Sequence, residues 1–109
     1  MRHDPVFGPV VLLGVGGTLT EVLKDVSVRL VPPSREDLEE MLDECAVGLL
    51  LARTGGDPSG VLATVAGLAR LATDHPEVRE VDVNPIFVSE AGAAAADALV
   101  VLAESSAAQ

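Results

Sequence analysis

Apolar and polar positions alternate with two different periods along this chain. Pro9 to Leu13 is an unbroken apolar run ended by Gly14-Val15-Gly16-Gly17, the pattern of a short buried strand. From Thr18 to Val31 the period is two. Val22, Val26, Val28 and Leu30 share one face, and Glu21, Asp25, Ser27 and Arg29 share the other, which predicts an extended segment whose polar side either contributes acid to a metal site or is solvated with cross-strand ion pairs, the second preferred for Asp25 and Arg29 and both kept for Glu21. Pro32-Pro33 stops it. Ser34 then suits a helix N-cap with Glu36 and Asp37 in the first turn, and Leu38, Met41, Leu42 and Cys45 recur at helical spacing. Leu49-Leu50-Leu51 is a short apolar run, followed by a loop from Arg53 to Gly60. Asp57-Pro58 predicts a second helix reaching about Ala72, with Leu62, Val65, Leu68 and Leu71 or Ala72 inward, and Asp74-His75-Pro76 ends it.

Period two returns in Val81-Asp82-Val83-Asn84-Pro85-Ile86-Phe87-Val88, where Asp82 and Asn84 project together and Val81 and Val83 point the other way. Ser89-Glu90-Ala91-Gly92 reads as a hairpin loop with Gly92 available for a positive φ. If Val88 pairs with Ala93, the partner of position i is 181 minus i, and Asn84 lies opposite Asp97. Ala93 to Ala96 also has high helix propensity, and a helix there would carry Asp97 away from Asn84; Leu99 to Leu102 suits a strand. The elements sum to an α+β domain over residues 1–103, with an antiparallel or mixed sheet covered on one face by two helices, and a disordered tail over 104–109. The uncovered face would carry Asp82, Asn84 and Asp97.

A carboxylate beside an amide oxygen is hard-cation chemistry, and Mg²⁺ is the natural guest, because it takes oxygen ligands and keeps waters and substrate phosphates in its shell. The alternative is a solvent-facing Asp82 and an Asn84-Pro85 turn. The glycine cluster offers backbone N–H groups to a phosphate or is a plain turn between strands; it is not a dinucleotide fingerprint, which would need glycine where Leu19 stands. Cys45 lies on an apolar helical stripe beside Asp43 and Glu44, which suits a core thiol better than a nucleophile. His75 has no second histidine near it in sequence and reads as a surface residue.

The chain has 109 residues, 49% of them hydrophobic, enough for one small core. A net charge of −10 and only two aromatic residues, Phe7 and Phe87, argue against nucleic acid and anionic membrane surfaces as partners. No apolar run approaches a membrane span, and the lone Cys45 suits a reducing, cytoplasmic setting.

Two ordered blocks resemble one family. Asp82-x-Asn84-Pro85 followed by a hairpin and Asp97 is similar to the metal-binding end of the ATP-grasp domain in ADP-forming acyl-CoA synthetases, relatives of succinyl-CoA synthetase. Asp4-Pro5-Val6-Phe7-Gly8-Pro9-Val10-Val11, Gly14-Val15-Gly16-Gly17, Glu21 to Val26 and Arg29-Leu30-Val31-Pro32 resemble a second block of that family in order and spacing, and Arg53-Thr54-Gly55-Gly56 a third piece. The similarity runs from about Asp4 to about Leu102 and corresponds to the C-terminal lobe of the domain.

The resemblance implies a strand rather than a helix after Ala93, and an ATP-dependent acid–thiol ligase that interconverts acyl-CoA, ADP and phosphate with acid, CoA and ATP through a phosphohistidine. By position it implies Asn84 and Asp97 as magnesium ligands with Asp82 flanking them, and Glu21 with Gly16 and Gly17 on the nucleotide side. The partners implied are Mg-nucleotide, with ATP or ADP held only when the complementary ATP-grasp lobe is supplied, and a CoA-binding chain; self-association into a homo-oligomer is left open. Departures are Ala98 and Leu99, where the family often has an arginine, and the absence of the phosphohistidine, which neither His3 nor His75 matches. Two classes of function follow: a nucleotide-binding part of such a synthetase, inactive alone, or a non-catalytic regulatory module of the kind attached to acyltransferases.

Overall fold

The computed structural model describes residues 1–15 and 25–104. Its strands are β1 (Arg2–Asp4), β2 (Gly8–Gly14), β3 (Val26–Leu30), β4 (Val78–Val83), β5 (Ile86–Ser89), β6 (Gly92–Ala95) and β7 (Ala98–Leu102). Its helices are α1 (Arg35–Glu44), α2 (Ala46–Thr54) and α3 (Pro58–Asp74). A five-stranded antiparallel sheet has the order β3-β2-β1-β4-β7, and β5 and β6 form a separate two-stranded ladder. The α+β class with helices on one face is as the patterning predicts.

Alternation explains which face is covered. Met1, Val11, Leu13, Val78 and Val81 point from the sheet into a core with Met41, Cys45, Leu51, Val61, Val65, Ala69 and Ala72 of the helices. Met41 and Val11 are its largest fully buried side chains. The Cys45 thiol donates to the Met41 carbonyl at 3.2 Å, and burial raises its pKa, as suits an inert core thiol. At the start of α1, Ser34 Oγ accepts from the Asp37 N–H at 3.0 Å and Asp37 Oδ2 accepts from the Ser34 N–H at 2.9 Å, a reciprocal capping box. Asp57 caps α3 with Pro58 at its first position.

The structure corrects four expectations. First, the described residues hold three helices, not two. Cys45 has extended backbone and ends α1, after which the Ala46 N–H donates to Asp25 Oδ2 at 2.8 Å. Asp25 thus caps α2 from 21 positions away, so it is not a solvated bystander. Gly55, with φ +75°, closes α2. Second, β3 is turned with its polar side towards the helices. Arg29 donates to Glu44 on α1 through Nη2 and through Nη1, the latter at 2.7 Å, and to Glu40 at 3.2 Å, while the Ser27 hydroxyl donates to Glu44 Oε2 at 2.8 Å. These bonds satisfy the polar face between elements, and Val26, Val28 and Leu30 stand on the open side, exposed. Third, on α3 Val65 and Ala72 are buried as expected and Leu68 and Leu71 are half-buried against the core, but Val61 and Ala69 are buried as well and Leu62 is outside that cluster. A Cβ on Gly60 would stand 2.8 Å from Ala93 Cβ, so the first turn of α3 approaches β6 closely only because residue 60 has no side chain. Fourth, Arg2–Asp4 adds a short strand that no pattern predicted, held in its turn by Asp4 Oδ1, which accepts from the Val6 and Phe7 N–H groups at 2.8 and 3.0 Å. Most of the expected tail, residues 105–109, lies outside the described residues.

Two predictions follow from this packing. The Arg29 guanidinium and the Ser27 hydroxyl hold the Glu44 carboxyl down from 4.5 to about 2. A depressed folded-state value means the contribution is complete above the unfolded pKa and lost as pH falls through the folded one. Urea midpoints of the chain and of Glu44→Gln should therefore differ by a constant amount at neutral pH and converge as pH falls from 4.5 to about 2; a gap that persists to the acid end would show that the pair does not act on stability. Gly60→Val should cost about 1–3 kcal/mol by overpacking, measured by denaturant unfolding, with the loss relieved when Ala93 is also cut back to glycine.

Candidate functional site

The hairpin from β4 to β7 determines the site. Paired residue numbers sum to 181 through the β5–β6 ladder and in the β4–β7 ladder from Val83 to Glu80, the register that counting from the turn predicts, and a β-bulge before Glu80 then shifts Val78 onto Leu102. Gly92 has φ +140° in that turn. Between the two ladders the Asn84 N–H donates to the Asp97 carbonyl at 3.2 Å and the Ala96 N–H donates to the Pro85 carbonyl at 2.9 Å. Asn84 therefore lies opposite Asp97, and Asp82, paired with Leu99, is one row away on the same face. All three side chains are exposed, while Val81 is buried and Val83 half-buried against the core.

Two-residue spacing brings a further carboxylate to this face. Glu80 pairs with Val101 on one side and Arg2 on the other, and lines the same cavity as Asp82 and Asn84. Spacing in the sequence offers Glu80 on the same footing as Asp82; what it lacks there is Arg2, which the fold brings beside it. The Met1 ammonium donates to the Val81 carbonyl at 2.9 Å, and its pKa is lowered by burial, partly offset by the charges of Asp82 and Glu80.

The cavity has a volume of about 910 Å³ and opens between the sheet and helices α2 and α3. Gly14 and Val15, which enter the glycine block, and Val26, which follows it, lie on its wall. Gly16, Gly17 and Glu21 lie outside the described residues. Asp97 is absent from the cavity lining and keeps Oδ1 on the Ala98 N–H at 2.8 Å. Among the described residues no three His, Cys, Asp or Glu side chains converge as a metal site. The local set is three carboxylates, Glu80, Asp82 and Asp97, and the Asn84 amide, all able to offer oxygen and all open to solvent. Such a set suits a hard divalent ion that takes most of its shell from water and phosphate. His75 is in an exposed loop with Nδ1 3.0 Å from Glu77 Oε1, away from these residues in the fold.

The sequence model of the ATP-grasp domain matches residues 1–102. The chain belongs to the ATP-grasp family. It is 41% identical over 108 residues to the ADP-forming acetate–CoA ligase I of Archaeoglobus fulgidus, covering 95% of this chain and 16% of the relative. It is also 41% identical over 106 residues to the beta subunit of the ADP-forming acetate–CoA ligase I of Pyrococcus furiosus, covering 94% and 46%. Among solved structures, the acetyl-coenzyme A synthetase 1 of Ca. Korarchaeum cryptofilum, in complex with coenzyme A and Mg-AMPPCP, superposes with a TM-score of 0.84 at 32% identity, over 93% of this chain and 49% of that one. This ATP-grasp chain thus spans half or less of the proteins it matches, and it is part of an ATP-grasp domain of the ADP-forming acyl-CoA synthetase type. No helix among its described residues is long and apolar enough to cross a membrane.

Because Asn84 and Asp97 are exposed and their register is set by backbone bonds, Asn84→Ala and Asp97→Ala should each shift unfolding free energy by no more than about 0.5–1 kcal/mol. Denaturant melts check this, and a larger loss in either variant would assign that side chain to the fold instead of to a ligand.

Proposed function

We propose that this chain supplies the Mg²⁺·nucleotide surface of an ADP-forming acyl-CoA synthetase, an acid–thiol ligase, and works when the complementary half of the ATP-grasp domain closes over it. The observation that carries the reading is the Asn84–Asp97 pair on the open sheet face, beside Asp82 and next to a cavity bordered by Gly14 and Val15. In this reading Asn84 and Asp97 ligate the metal and Asp82 steadies its hydration shell. Gly16 and Gly17 offer backbone N–H groups to phosphate, and Glu21 lines the nucleotide side. When bound, the ion would offset charge on the β- and γ-phosphates of ATP, or on the diphosphate of ADP. A CoA-binding chain completes the enzyme, and the free thiol of Cys45 suits the reducing cytoplasm as its compartment.

A second reading is a non-catalytic interaction module. It is favoured by the apolar flanks of the open face, where Val26, Val28 and Leu30 on one side and Leu99 and Val101 on the other are exposed around the charged centre.

Calorimetric titration of Mg²⁺·ADP and Mg²⁺·ATP separates the two. The nucleotide reading expects metal-dependent heat at millimolar ligand, weakened at least ~10-fold in both Asn84→Ala and Asp97→Ala. Folded proteins that give no heat, or heat indifferent to both substitutions, would reject it for the chain alone and favour the module.

A further inference from the structure

The two outer strands of the five-stranded sheet are built differently. β3 is guarded, since its Ser27 and Arg29 are tied to Glu44 of α1 and Pro32-Pro33 follow it closely. β7, at the other edge, is Ala98-Leu99-Val100-Val101-Leu102, with neither charge nor proline. Val100 and Leu102 pair with the buried Val81 and Val78, yet they are 49% and 61% exposed, so among the described residues no helix covers this end of the sheet. Leu99 and Val101 are exposed on the open side, and β7 therefore presents apolar side chains on both faces. Val81 exchanges its backbone bonds with Met1, which leaves Glu80, Asp82 and Asn84 to bond Val101, Leu99 and Asp97. By alternation the N–H and C=O groups of Ala98, Val100 and Leu102 face away from the sheet. Asp97 Oδ1 takes the Ala98 N–H at 2.8 Å, and the others have no strand opposite them among the described residues.

We propose that β7 pairs antiparallel with β7 of a second copy of this chain, about a two-fold axis at Val100, and that the two sheets join into one. The strand is complementary to itself in that register. Val100 meets Val100 of the second copy and the two exchange N–H···O=C bonds, while each Leu102 N–H reaches the opposite Ala98 carbonyl. Leu99 falls opposite Val101 on the open side, and Ala98 opposite Leu102 on the helix side, so apolar side chains cover one another on both faces. A shift by two residues either way would set Leu102 or Ala98 outside the opposite β7, which fixes the axis at Val100. Charge decides for a second copy. The chain carries a net −10, and Asp97 and Glu104 bracket β7. Pairing about Val100 sets Asp97 against Ala103 and Glu104 against Ala96, so two acidic chains meet along a span where no like charges stand opposite. Both sets of helices then lie on one side of the joined sheet and both open faces on the other. The pairing stands on edge geometry and not on the nucleotide reading.

A five-residue ladder is smaller than the ~1,200 Å² of a standard interface, so a dissociation constant on the order of 0.1 mM is expected. Sedimentation equilibrium of the full chain from about 10 µM to about 1 mM should pass from monomer to dimer. Val100→Lys and Val100→Glu, at a half-exposed position, should each stay monomeric, because like charges then meet on the axis, and an equimolar mixture of the two should regain at least ~10-fold tighter association than either alone. A second readout needs no variant. Amide exchange at Val100 and Leu102, followed by NMR, should slow with protein concentration, while exchange at Leu99 and Val101, already bonded to β4, should not change. A chain that is monomeric throughout would overturn the proposal and favour the complementary half of the domain as the neighbour of β7. Dimers that persist in both variants alone, or a mixture no more associated than its components, would overturn it as well. No nucleotide enters these measurements, so their failure is distinct from failure of the titration.

Discussion

The pairing of β4 with β7 is the constraint on which both the core and the open face depend. In that ladder Val81 and Val83 alternate with Glu80, Asp82 and Asn84, and side chains repeat with period two. A slip by one residue would send three polar side chains under the helices and expose the valines, at a desolvation cost a domain this small would not survive. The tight turn at Ser89–Gly92 prevents the slip by setting the count from its closed end. The same register that protects the core brings Asn84 opposite Asp97. Site and core are therefore two faces of one ladder.

The opposite edge of the sheet follows a different rule. β3 turns valines outwards and Ser27 and Arg29 inwards, which an alternation argument based on hydrophobicity alone reads backwards. Arg29 meets Glu44 and Glu40 on α1, so the polar face is paired between elements while both carboxylates stay open to water. The outward valines join Leu99 and Val101 in framing the charged centre of the open face.

Several parts of this structure were legible because their causes are local. The Ser34–Asp37 capping box, the Asp57-Pro58 helix start, the strand at Pro9–Leu13 and the hairpin register all depend on residues within a few positions of one another. The pairing of Asn84 with Asp97 followed from the same counting, and the family resemblance rested on blocks that the 102-residue match covers. Helix α2 was not legible, since its cap is Asp25 and Cys45 breaks it from α1 only in three dimensions. Neither was the close approach of α3 to β6, where Gly60 meets Ala93.

By itself, then, the sequence determined periodicity, caps, turn register and the chemical kind of the exposed donors, because these are properties of neighbouring residues and of backbone geometry. The tertiary structure alone decided that β3 faces Arg29 inwards and that Glu80 and Arg2 join the candidate site. Each of those depends on which distant segments become neighbours in the sheet, and the pattern of a single segment carries no record of its partners.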